Sequence, residues 1–372
     1  MKIGLISPYD YSSPGGVVVH ISFLARYFRQ MGHKVKVLAP CSREGTSYFG
    51  EEVVAIGKPI PIPSGGSTAR IALSPWLPMQ VRKILEEEEF DIIHLHEPLV
   101  PMLCLAALFH SRATNVGTFH AYHGRPWEYW IGKPVFKSLL SRLHGKIAVS
   151  KPALEFVGQH LPGDYCVIPN GVDLEGFSPN VSPRKEFEDG KSNILFVSRL
   201  EERKGLNYLL NAYAKVKGRF PNVRLIIVGP RTKLGAKYER LTRDMCLADV
   251  IFTGFVQNAE LPSYYRSADI FCAPATGGES FGLVLLEAMA SDKPVIASNI
   301  GGYNDLLTHG EEGLLVPPRN EEALTEALSS LLVDESLRCL MGAKGRAKAE
   351  RYDWANIAGQ VIGYYIDLLG RV

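Results

Sequence analysis

The chain has 372 residues, which exceeds the size at which a single hydrophobic core usually stops growing, so we expect two domains. Hydrophobic residues make up 46% and charged residues 22%, a composition typical of a soluble globular protein. Residues 1–170 hold 17 Lys and Arg against 13 Asp and Glu, whereas residues 171–372 hold 24 against 26. A modestly basic first half suits an anionic ligand or a membrane surface. Nucleic-acid binding would need a denser basic stripe, so we expect no nucleic-acid partner.

The six cysteines are scattered and include no C-x-x-C pair, which predicts a reduced environment without a cysteine metal site. The N-terminal segment Met1–Pro8 is too short for a secretory signal. The longest apolar run, Leu99–Phe109, is interrupted by Pro101 and is too short to span a membrane. We therefore expect a cytoplasmic protein.

Short β-branched runs alternate with amphipathic segments along the whole chain. In the first half, helices are predicted at Val17–Met31 and Pro75–Glu89, and strands at Ile3–Ser7, Lys34–Ala39, Asp91–His96, Asn115–Thr118, Lys146–Ser150 and Cys166–Pro169. In the second half, strands are predicted at Ile194–Val197, Arg224–Val228, Val250–Thr253, Ile270–Ala273, Pro294–Ala297 and Gly313–Val316. Helices follow at Leu324–Leu332, Leu337–Arg351 and Trp354–Leu369.

Strands that alternate with helices form parallel sheets covered on both faces. The pattern breaks between Gly171 and Asn193, a stretch without periodicity that is typical of a linker. The sequence therefore predicts an α/β protein of two doubly wound, Rossmann-like domains, whose ligands bind at the carboxyl ends of the strands.

Two glutamates eight residues apart, Glu279 and Glu287, flank the start of an apolar helix. Ser280-Phe281-Gly282 forms the loop that enters this helix, so Glu279 lies just before the first turn and Glu287 two turns inside. The free N–H groups of a helix N-terminus suit a phosphate, and the two carboxylates could contact separate parts of one ligand. One buried and one solvated acid is the alternative explanation, and a lone pair of this spacing would favour it.

Two further segments indicate an anion site. Gly15 and Gly16 follow the first strand and precede a helix, where glycine lets a backbone approach an anion, although most such pairs are only turns. Arg199 and Lys204 follow the first strand of the second domain, where they could bind a diphosphate, or form an ordinary charged loop.

Histidines lie at two strand ends of the first domain. His120 ends a strand and could bind a sugar hydroxyl or stabilise developing charge, although a structural role is the commoner fate of a histidine. We expect His94 and His96 to point to opposite faces of their strand, which disfavours a metal pair. The chain contains no D-x-D, the usual carboxylate bridge between a metal and a nucleotide diphosphate, so no metal cofactor is expected.

The ordered set of Gly15-Gly16, His120, Arg199 with Lys204, and Glu279 with Glu287 resembles the retaining GT-B glycosyltransferases with an E-x7-E motif. The resemblance covers essentially the whole chain, including Ile168–Asp173 and Glu287–Ala290. Within that family, the chain is most similar to the phosphatidyl-myo-inositol mannosyltransferases. This closer resemblance rests on Pro59–Pro63, Gly66–Arg70, His94–Pro98 and Ala273–Gly282, whereas the stretch from Ala121 to Trp130 is more aromatic than in that family.

The resemblance implies two domains separated by a cleft, an acceptor domain of residues 1–170 plus 352–372 and a donor domain of residues 171–351. It implies transfer of a hexose, with mannose from GDP-mannose the expected donor, to phosphatidylinositol or a related lipid. In these enzymes the final helix crosses back to the first domain.

The implied roles are specific. Arg199 and Lys204 bind the diphosphate, with the Gly16 N–H adding to that anion site. Glu287 contacts the ribose, and Glu279 orients sugar hydroxyls. The implied donor-binding residues are Gly15, Gly16, Arg199, Lys204, Glu279, Ser280, Phe281, Gly282 and Glu287, and the catalytic ones are His120, Arg199, Lys204 and Glu279. The implied acceptor-binding residues are Tyr9, Arg70, Arg82 and Lys83.

A stretch of the first domain predicts peripheral binding to the inner face of the cell membrane. Aromatic and basic side chains interleave there, at Arg125, Trp127, Tyr129, Trp130, Lys133, Lys137, Arg142 and Lys146. A core-facing aromatic stripe with a solvated basic face is the commoner arrangement, and the lipid acceptor implied by the family favours the membrane.

Three alternatives stay open at this point. One is a glycosyltransferase using another nucleotide sugar, such as UDP-glucose, on a different lipid or small-molecule acceptor. Another is a GT-B sugar-nucleotide epimerase, which needs no acceptor. The third is a non-catalytic protein that binds sugar nucleotides.

Overall fold

A computed structural model describes residues 1–13, 15–43, 45–64, 67–120 and 138–371. The chain divides into two compact units, one of Met1–Gly171 with Trp354–Val372 and the other of Val172–Asp353. The predictions about Gly66 and about the aromatic and basic stretch from Arg125 to Lys137 lie outside the described residues.

The first unit is built on a seven-stranded parallel sheet of order β3-β2-β1-β6-β7-β8-β9. Its strands are β1 (Lys2–Ile6), β2 (Lys34–Ala39), β3 (Glu52–Ala55), β6 (Ile92–His96), β7 (Thr114–Phe119), β8 (Gly145–Ala148) and β9 (Cys166–Val167), with an antiparallel hairpin of β4 (Pro59–Ser64) and β5 (Ser67–Ala72) beside them in the chain. Its helices include α1 (Gly16–Gln30), α2 (Leu77–Glu88), α3 (Leu103–His110), α4 (Lys151–His160) and, after the second unit, α12 (Trp354–Leu369).

The second unit has a six-stranded parallel sheet of order β12-β11-β10-β13-β14-β15. Its strands are β10 (Ser192–Val197), β11 (Val223–Val228), β12 (Val250–Gly254), β13 (Ile270–Ala273), β14 (Val295–Ser298) and β15 (Gly313–Val316). Its helices include α5 (Leu206–Arg219), α6 (Lys233–Asp244), α7 (Leu261–Ser267), α8 (Leu283–Ala290), α9 (Gly301–Asn304), α10 (Glu321–Val333) and α11 (Glu335–Ala349).

Both sheets confirm the predicted doubly wound fold. In the first unit β1 lies between β2 and β6, and in the second β10 lies between β11 and β13. The strand order reverses at β1 and at β10. Ligands of such sheets bind at these reversal points, beside the carboxyl ends of the strands. The sequence-predicted site residues that follow β1 and β10 therefore occupy the expected positions of a binding crevice in their own units.

Helix α12 completes the core of the first unit although it is the last element of the chain. Its Trp354 ring stacks on Phe23 of α1 with a centroid separation of 5.2 Å and an interplanar angle of 4°. Tyr365, further along the same helix, is fully buried, and its ring lies edge-on to that of Phe28 with a centroid separation of 5.8 Å. Large buried aromatic side chains contribute several kcal/mol each, so α12 is integral to the stability of this unit.

The hairpin β4–β5 and strand β3 are absent from the sequence prediction. Pro59, Pro61 and Pro63 alternate along β4, and proline is usually excluded from strands because it lacks an N–H donor. A two-stranded hairpin has only edge strands, which tolerate proline where the N–H would face away from the partner. Among the described residues, the structure contains no helix long and apolar enough to cross a membrane.

Candidate active site

The loop after β10 carries the predicted cations of the second unit. It continues through Arg199 into a short 3-10 turn at Glu202–Lys204 and then enters α5. Gly205 ends that turn with φ of +74°, and a Cβ there would lie 1.9 Å from the carbonyl oxygen of Pro274. Only glycine permits this close approach. The loop is thereby held against the segment that follows β13 and leads to Glu279.

Glu279 is the point where the charges of this loop converge. Its Oε1 atom lies 2.6 Å from the Lys204 Nζ and 2.6 Å from the Arg203 Nη1. The same Arg203 nitrogen donates to the Gly278 carbonyl at 2.9 Å. One guanidinium therefore fixes both the backbone and the carboxylate of the segment that enters α8, which restricts the orientation of Glu279.

A second carboxylate extends the network. Glu201 accepts a hydrogen bond from the Arg203 Nε at 2.9 Å and pairs with the Arg199 Nη1 at 3.3 Å. Arg199, Arg203 and Lys204 thus share two carboxylates, those of Glu201 and Glu279. Charge-assisted hydrogen bonds of this kind are strong, and a cluster of cations at strand ends suits an anionic ligand.

The three cations differ in exposure. The Arg199 side chain is 56% exposed, whereas that of Lys204 is 15% exposed. Burial lowers the pKa of Lys204, and the neighbouring Glu279 carboxylate opposes that shift. The structure therefore places Arg199 at the surface and Lys204 on Glu279, so a diphosphate at this site has to share the lysine with the carboxylate.

Residues between Glu279 and α8 have separate roles. Gly282 has φ of +96° and directly precedes α8, whose first N–H groups have no acceptor within the helix. The Phe281 side chain is only 4% exposed and belongs to the core of the second unit. Its predicted part in donor binding is thus limited to the backbone. Together with Ser280, these residues form the turn that the sequence predicted at the start of the helix.

Glu287 lies on α8 as predicted and is half-buried. Its Oε2 accepts a hydrogen bond from the Tyr265 hydroxyl at 2.7 Å. Burial raises the pKa of Glu287 to about 7, and the tyrosine hydrogen bond lowers it in part. The carboxyl group therefore changes charge close to neutral pH.

In the first unit, His120 lies directly after β7 and contacts β6. Its Nε2 is 3.0 Å from the Nδ1 of His96, and the two rings stack with centroids 5.3 Å apart. The His120 backbone N–H donates to the Glu97 carboxylate at 2.6 Å. The position of this ring is thus fixed from both its side chain and its backbone.

The expectation that His94 and His96 point to opposite faces is wrong. Their ring centroids lie 4.4 Å apart on one face of β6. Residues two positions apart in a strand share a face because the side-chain period is two. His94 is held by the Thr118 hydroxyl at 2.6 Å and by the Tyr365 hydroxyl at 2.5 Å.

A fourth histidine, His20 of α1, joins this cluster. Its Nδ1 lies 2.8 Å from the Asn170 Oδ1, and its ring meets His120 edge to face at 4.8 Å. Burial lowers the pKa of His20 to about 4 and that of His94 to about 3. Burial, with neighbouring imidazoles, holds the pKa values of His96 and His120 well below 6.5. All four rings are therefore neutral at neutral pH.

Three of these imidazoles form a group that could hold a metal ion. In the described part of the chain, His20, His96 and His120 each offer a ring nitrogen within 4.8 Å of the others. Neutral imidazoles are suitable ligands for a transition metal. However, the hydrogen bond between His96 and His120 already joins two of the three rings. The absence of an obligatory metal stays a prediction.

The predicted anion loop after β1 leads into α1. Gly15 is extended, with φ of −170°, and Gly16 is the first residue of the helix. A Cβ added at Gly15 would meet no described atom within 4 Å. Packing of the described residues therefore does not require glycine at position 15, in contrast to Gly205.

Two of the predicted acceptor residues are brought together and two are not. Tyr9 forms an antiparallel bridge with Ile71. The next residue, Asp10, forms an ion pair with Arg70 at 3.8 Å, and its backbone N–H donates to the Arg70 carbonyl. Arg82 and Lys83 lie on α2, where they pair with the glutamates Glu86 and Glu87 one turn later. Those contacts stay within α2 and do not link the two residues to Tyr9 or Arg70.

Sequence reasoning missed several side chains of these clusters. Arg203 adjoins the predicted Lys204, but its partner Glu279 is 76 residues away. His20 and Asn170 are 150 residues apart in the chain and meet only in the folded structure. The period of two along β6 was the signal that could have placed His94 and His96 on a common face, but it was not used for that.

Comparison with known proteins identifies the class to which this fold and site belong. The model of the family "Glycosyl transferases group 1" matches residues 178–348, and that of "Glycosyltransferase Family 4" matches residues 14–175. Sucrose-phosphate synthase from Thermosynechococcus elongatus has the same fold, with a TM-score of 0.81 and 23% identity over 100% of both chains. The molecule is thus a glycosyltransferase of the GT-B fold.

Individual relatives narrow the family. A phosphatidyl-myo-inositol mannosyltransferase of Mycobacterium tuberculosis is 38% identical over 379 residues, covering 100% of this chain and 98% of the relative. A GDP-mannose-dependent alpha-(1-6)-phosphatidylinositol monomannoside mannosyltransferase of the same organism is 28% identical and covers 94% of each chain. The chain belongs to the group 1 glycosyltransferase family, as the ordered motifs predicted, and is similar over its whole length to the phosphatidyl-myo-inositol mannosyltransferases.

Proposed function

We propose that this protein transfers mannose from GDP-mannose to phosphatidylinositol, with retention at the anomeric carbon. The observation that carries the proposal is the 38% identity, over the full length of the chain, to enzymes named for that acceptor and for mannose transfer. GDP-mannose as the donor is supported by the name of a more distant relative. The cluster of three cations and two carboxylates in the second unit supports a nucleotide diphosphate as the leaving group.

In this proposal Lys204 and Arg199 bind the diphosphate and stabilise the charge that it gains as the glycosidic bond breaks. The N–H groups of the first turn of α8 add hydrogen bonds to the same group. Glu279 orients sugar hydroxyls, Glu287 binds the ribose, and His120 contacts the transferred sugar. Tyr9 and Arg70 bind the inositol phosphate of the acceptor.

A matrix of donors and acceptors tests the proposal. Purified protein is incubated with GDP-mannose, GDP-glucose, UDP-glucose or UDP-galactose and with vesicles that contain phosphatidylinositol, diacylglycerol or neither. We expect a mannosylated lipid only with GDP-mannose and phosphatidylinositol. Equal transfer from a UDP-sugar, or a product on diacylglycerol, would replace this function by that of another glycosyltransferase. Conversion of the donor without acceptor would indicate an epimerase.

Transfer is expected to proceed without a divalent metal ion. Arg199, Arg203 and Lys204 supply the positive charge that a metal otherwise provides to a leaving diphosphate. Initial rates should be the same in excess EDTA and in added magnesium. Loss of activity in EDTA that returns only with magnesium or manganese would contradict this expectation.

The affinity for GDP is expected to fall as the pH falls below about 7. Burial raises the pKa of Glu287 to about 7, so at lower pH its carboxyl group is neutral and binds ribose hydroxyls less strongly. The association constant should drop by up to about tenfold per pH unit between pH 7 and 6. Calorimetric titration with GDP at each pH measures this effect, and Glu287→Gln should lose that part of the pH dependence.

The same group makes an opposite contribution to stability. Its pKa in the folded chain lies above the ordinary value of 4.5, so folding takes up a proton between about pH 4.5 and 7. This site therefore favours the folded state more as the pH falls through that range and less as it rises.

The GDP titrations have one outcome that contradicts the binding prediction. If the affinity of wild-type protein and that of Glu287→Gln for GDP depend on pH in the same way, Glu287 does not contact the donor in its charged form.

We further propose that the protein binds the surface of anionic membranes through α2. Trp76 and Met79, two large apolar side chains at the start of this helix, are each 66% exposed. Arg82 and Lys83 lie on the same helix with 62% and 76% of their side chains exposed. Indole rings favour the headgroup level, and Arg82 and Lys83 favour anionic lipid when they exchange their partners Glu86 and Glu87 for lipid phosphates.

Vesicle co-sedimentation tests the membrane proposal. Binding to vesicles of phosphatidylcholine with phosphatidylglycerol should exceed binding to phosphatidylcholine alone, and it should weaken with salt. The double variant Trp76→Ala, Met79→Ala should bind several times less. Phe255→Ala, which removes a 60% exposed ring of the second unit, is the matched control. Equal binding to both kinds of vesicle, or to neither, would contradict the proposal.

A further inference from the structure

The cluster around His120 contains one nitrogen whose surroundings decide where the protons lie. The His96 ring is fully buried, and its Nε2 has no hydrogen-bond partner among the described residues. Its other nitrogen, Nδ1, lies 3.0 Å from the His120 Nε2. A single proton therefore links the two rings, and it belongs to one of them.

The two arrangements of that proton differ in what they leave buried. A neutral imidazole carries a proton on one nitrogen and a lone pair on the other. If His120 donated to His96, the Nε2 of His96 would have to carry a proton for which the described residues offer no acceptor. Buried N–H groups without an acceptor are rare because they lose their hydrogen bonds to water and gain none. If His96 donates instead, its Nε2 is a bare nitrogen with no proton to satisfy.

We infer that His96 is a positioning residue, which donates its Nδ1 proton to the His120 Nε2 and thereby fixes His120 as the tautomer that carries its proton on Nδ1. The inference rests on the proposed function in one respect, because there His120 contacts the transferred sugar. It specifies that contact: His120 presents an N–H donor, and the group it meets is an oxygen that accepts a hydrogen bond, such as a sugar hydroxyl.

The surrounding side chains support this arrangement. His20 and His94 contact the His96 ring with centroid separations of 5.2 and 4.4 Å, and each has its own hydrogen-bond partner, Asn170 and Tyr365 respectively. The low pKa values of all four histidines keep the rings neutral. The hydrogen bond made by one ring nitrogen decides which of the two nitrogens carries the proton. The cluster therefore selects a single tautomer.

Nitrogen-15 NMR of the histidine side chains tests the inference without substrate or turnover. The full chain is labelled on its histidine rings, and His120→Asn assigns the His120 resonances. We expect both His120 and His96 to be protonated at Nδ1 and bare at Nε2, with the His96 proton hydrogen-bonded to the His120 Nε2. His120 protonated at Nε2 would overturn the inference even if the protein is a mannosyltransferase. A protein with the expected tautomer but no transfer activity would instead contradict only the proposed function.

Two replacements of His96 distinguish the effect of its N–H donor from the effect of its aromatic ring. His96→Phe keeps an aromatic ring but donates nothing, whereas the side-chain amide of His96→Asn retains a donor near the position of Nδ1. We expect His96→Phe to mix the two tautomers of His120 and to lower kcat about tenfold, with the KM for the donor nearly unchanged. His96→Asn should recover most of the loss. His110→Phe, at the end of α3, is the matched control.

Other outcomes count against the inference. A His96→Phe variant that folds, keeps the wild-type tautomer of His120 and retains its kcat would overturn it. So would a purified chain that holds one equivalent of zinc and loses it in both His96→Phe and His120→Asn, because His96 would then be a metal ligand. Should His96→Phe fail to fold, the tautomer of the wild-type protein and the behaviour of His96→Asn still decide the matter.

Discussion

Replacement of Lys204 by alanine is expected to lower kcat by about two orders of magnitude or more. Lys204 lies at the carboxyl edge of the second sheet, where its Nζ is 2.6 Å from the Glu279 carboxylate. Its side chain is only 15% exposed. A buried charge that stabilises a leaving group acts more strongly than one in water, and removal of one such stabiliser typically costs a hundredfold or more. Steady-state kinetics with saturating donor and acceptor measure the loss.

Lys344→Ala is the control for that experiment. Lys344 is an exposed lysine of α11 in the same unit, and its removal should leave kcat unchanged. Circular dichroism and thermal unfolding establish that Lys204→Ala is folded. A folded Lys204→Ala protein with near-native turnover would remove Lys204 from the proposed mechanism and leave Arg199 as the candidate for the diphosphate.

Glu279→Gln is expected to separate catalysis from nucleotide binding. The carboxylate is held by Arg203 and Lys204, and in the proposed function it orients sugar hydroxyls. Hydrogen bonds to a charged group contribute about 1.5–3 kcal/mol, so kcat/KM for GDP-mannose should fall about ten- to a hundredfold. GDP lacks the sugar and should bind as tightly as before or more tightly, because the cluster loses one of its two negative charges.

Calorimetry with GDP and kinetics with GDP-mannose test both parts. Glu326→Gln, an exposed position of α10, is the matched control for loss of a carboxylate. If Glu279→Gln weakens GDP and GDP-mannose equally, its role is to hold the cations in place and not to bind the sugar. If neither changes, Glu279 is only the structural partner of Arg203 and Lys204.

The fold could be predicted from the sequence because each strand leaves a local signal. In both units the buried strands are short apolar runs, such as β11 and β13, and the helices between them have an amphipathic period. The family was accessible because its motifs keep their order along the chain. The exceptions were β3, β4 and β5, where prolines and partly exposed residues gave no apolar run.

The candidate site could be predicted only in part from the sequence, because its contacts join residues far apart in the chain. Arg199, Lys204, Glu279 and Glu287 could be selected by residue type and by their places after predicted strands. Arg203 could not, since nothing local distinguishes a guanidinium that holds Glu279 from one exposed to solvent. The expectation that His94 and His96 lie on opposite faces was wrong because residues two positions apart in a strand share a face.

By itself, the sequence determined the α/β class, the series of strands in each half and the residues placed at strand ends, because these follow from periodicity and from turn residues within a few positions. Only the tertiary structure decided which strand ends are neighbours. The order of the sheets brings the loop after β10 against the segment after β13, where Arg203 and Lys204 meet Glu279. It also brings β6 and β7 together, so that His96 meets His120. The physical reason is that strand order is set by the burial of whole faces and not by local chain preference.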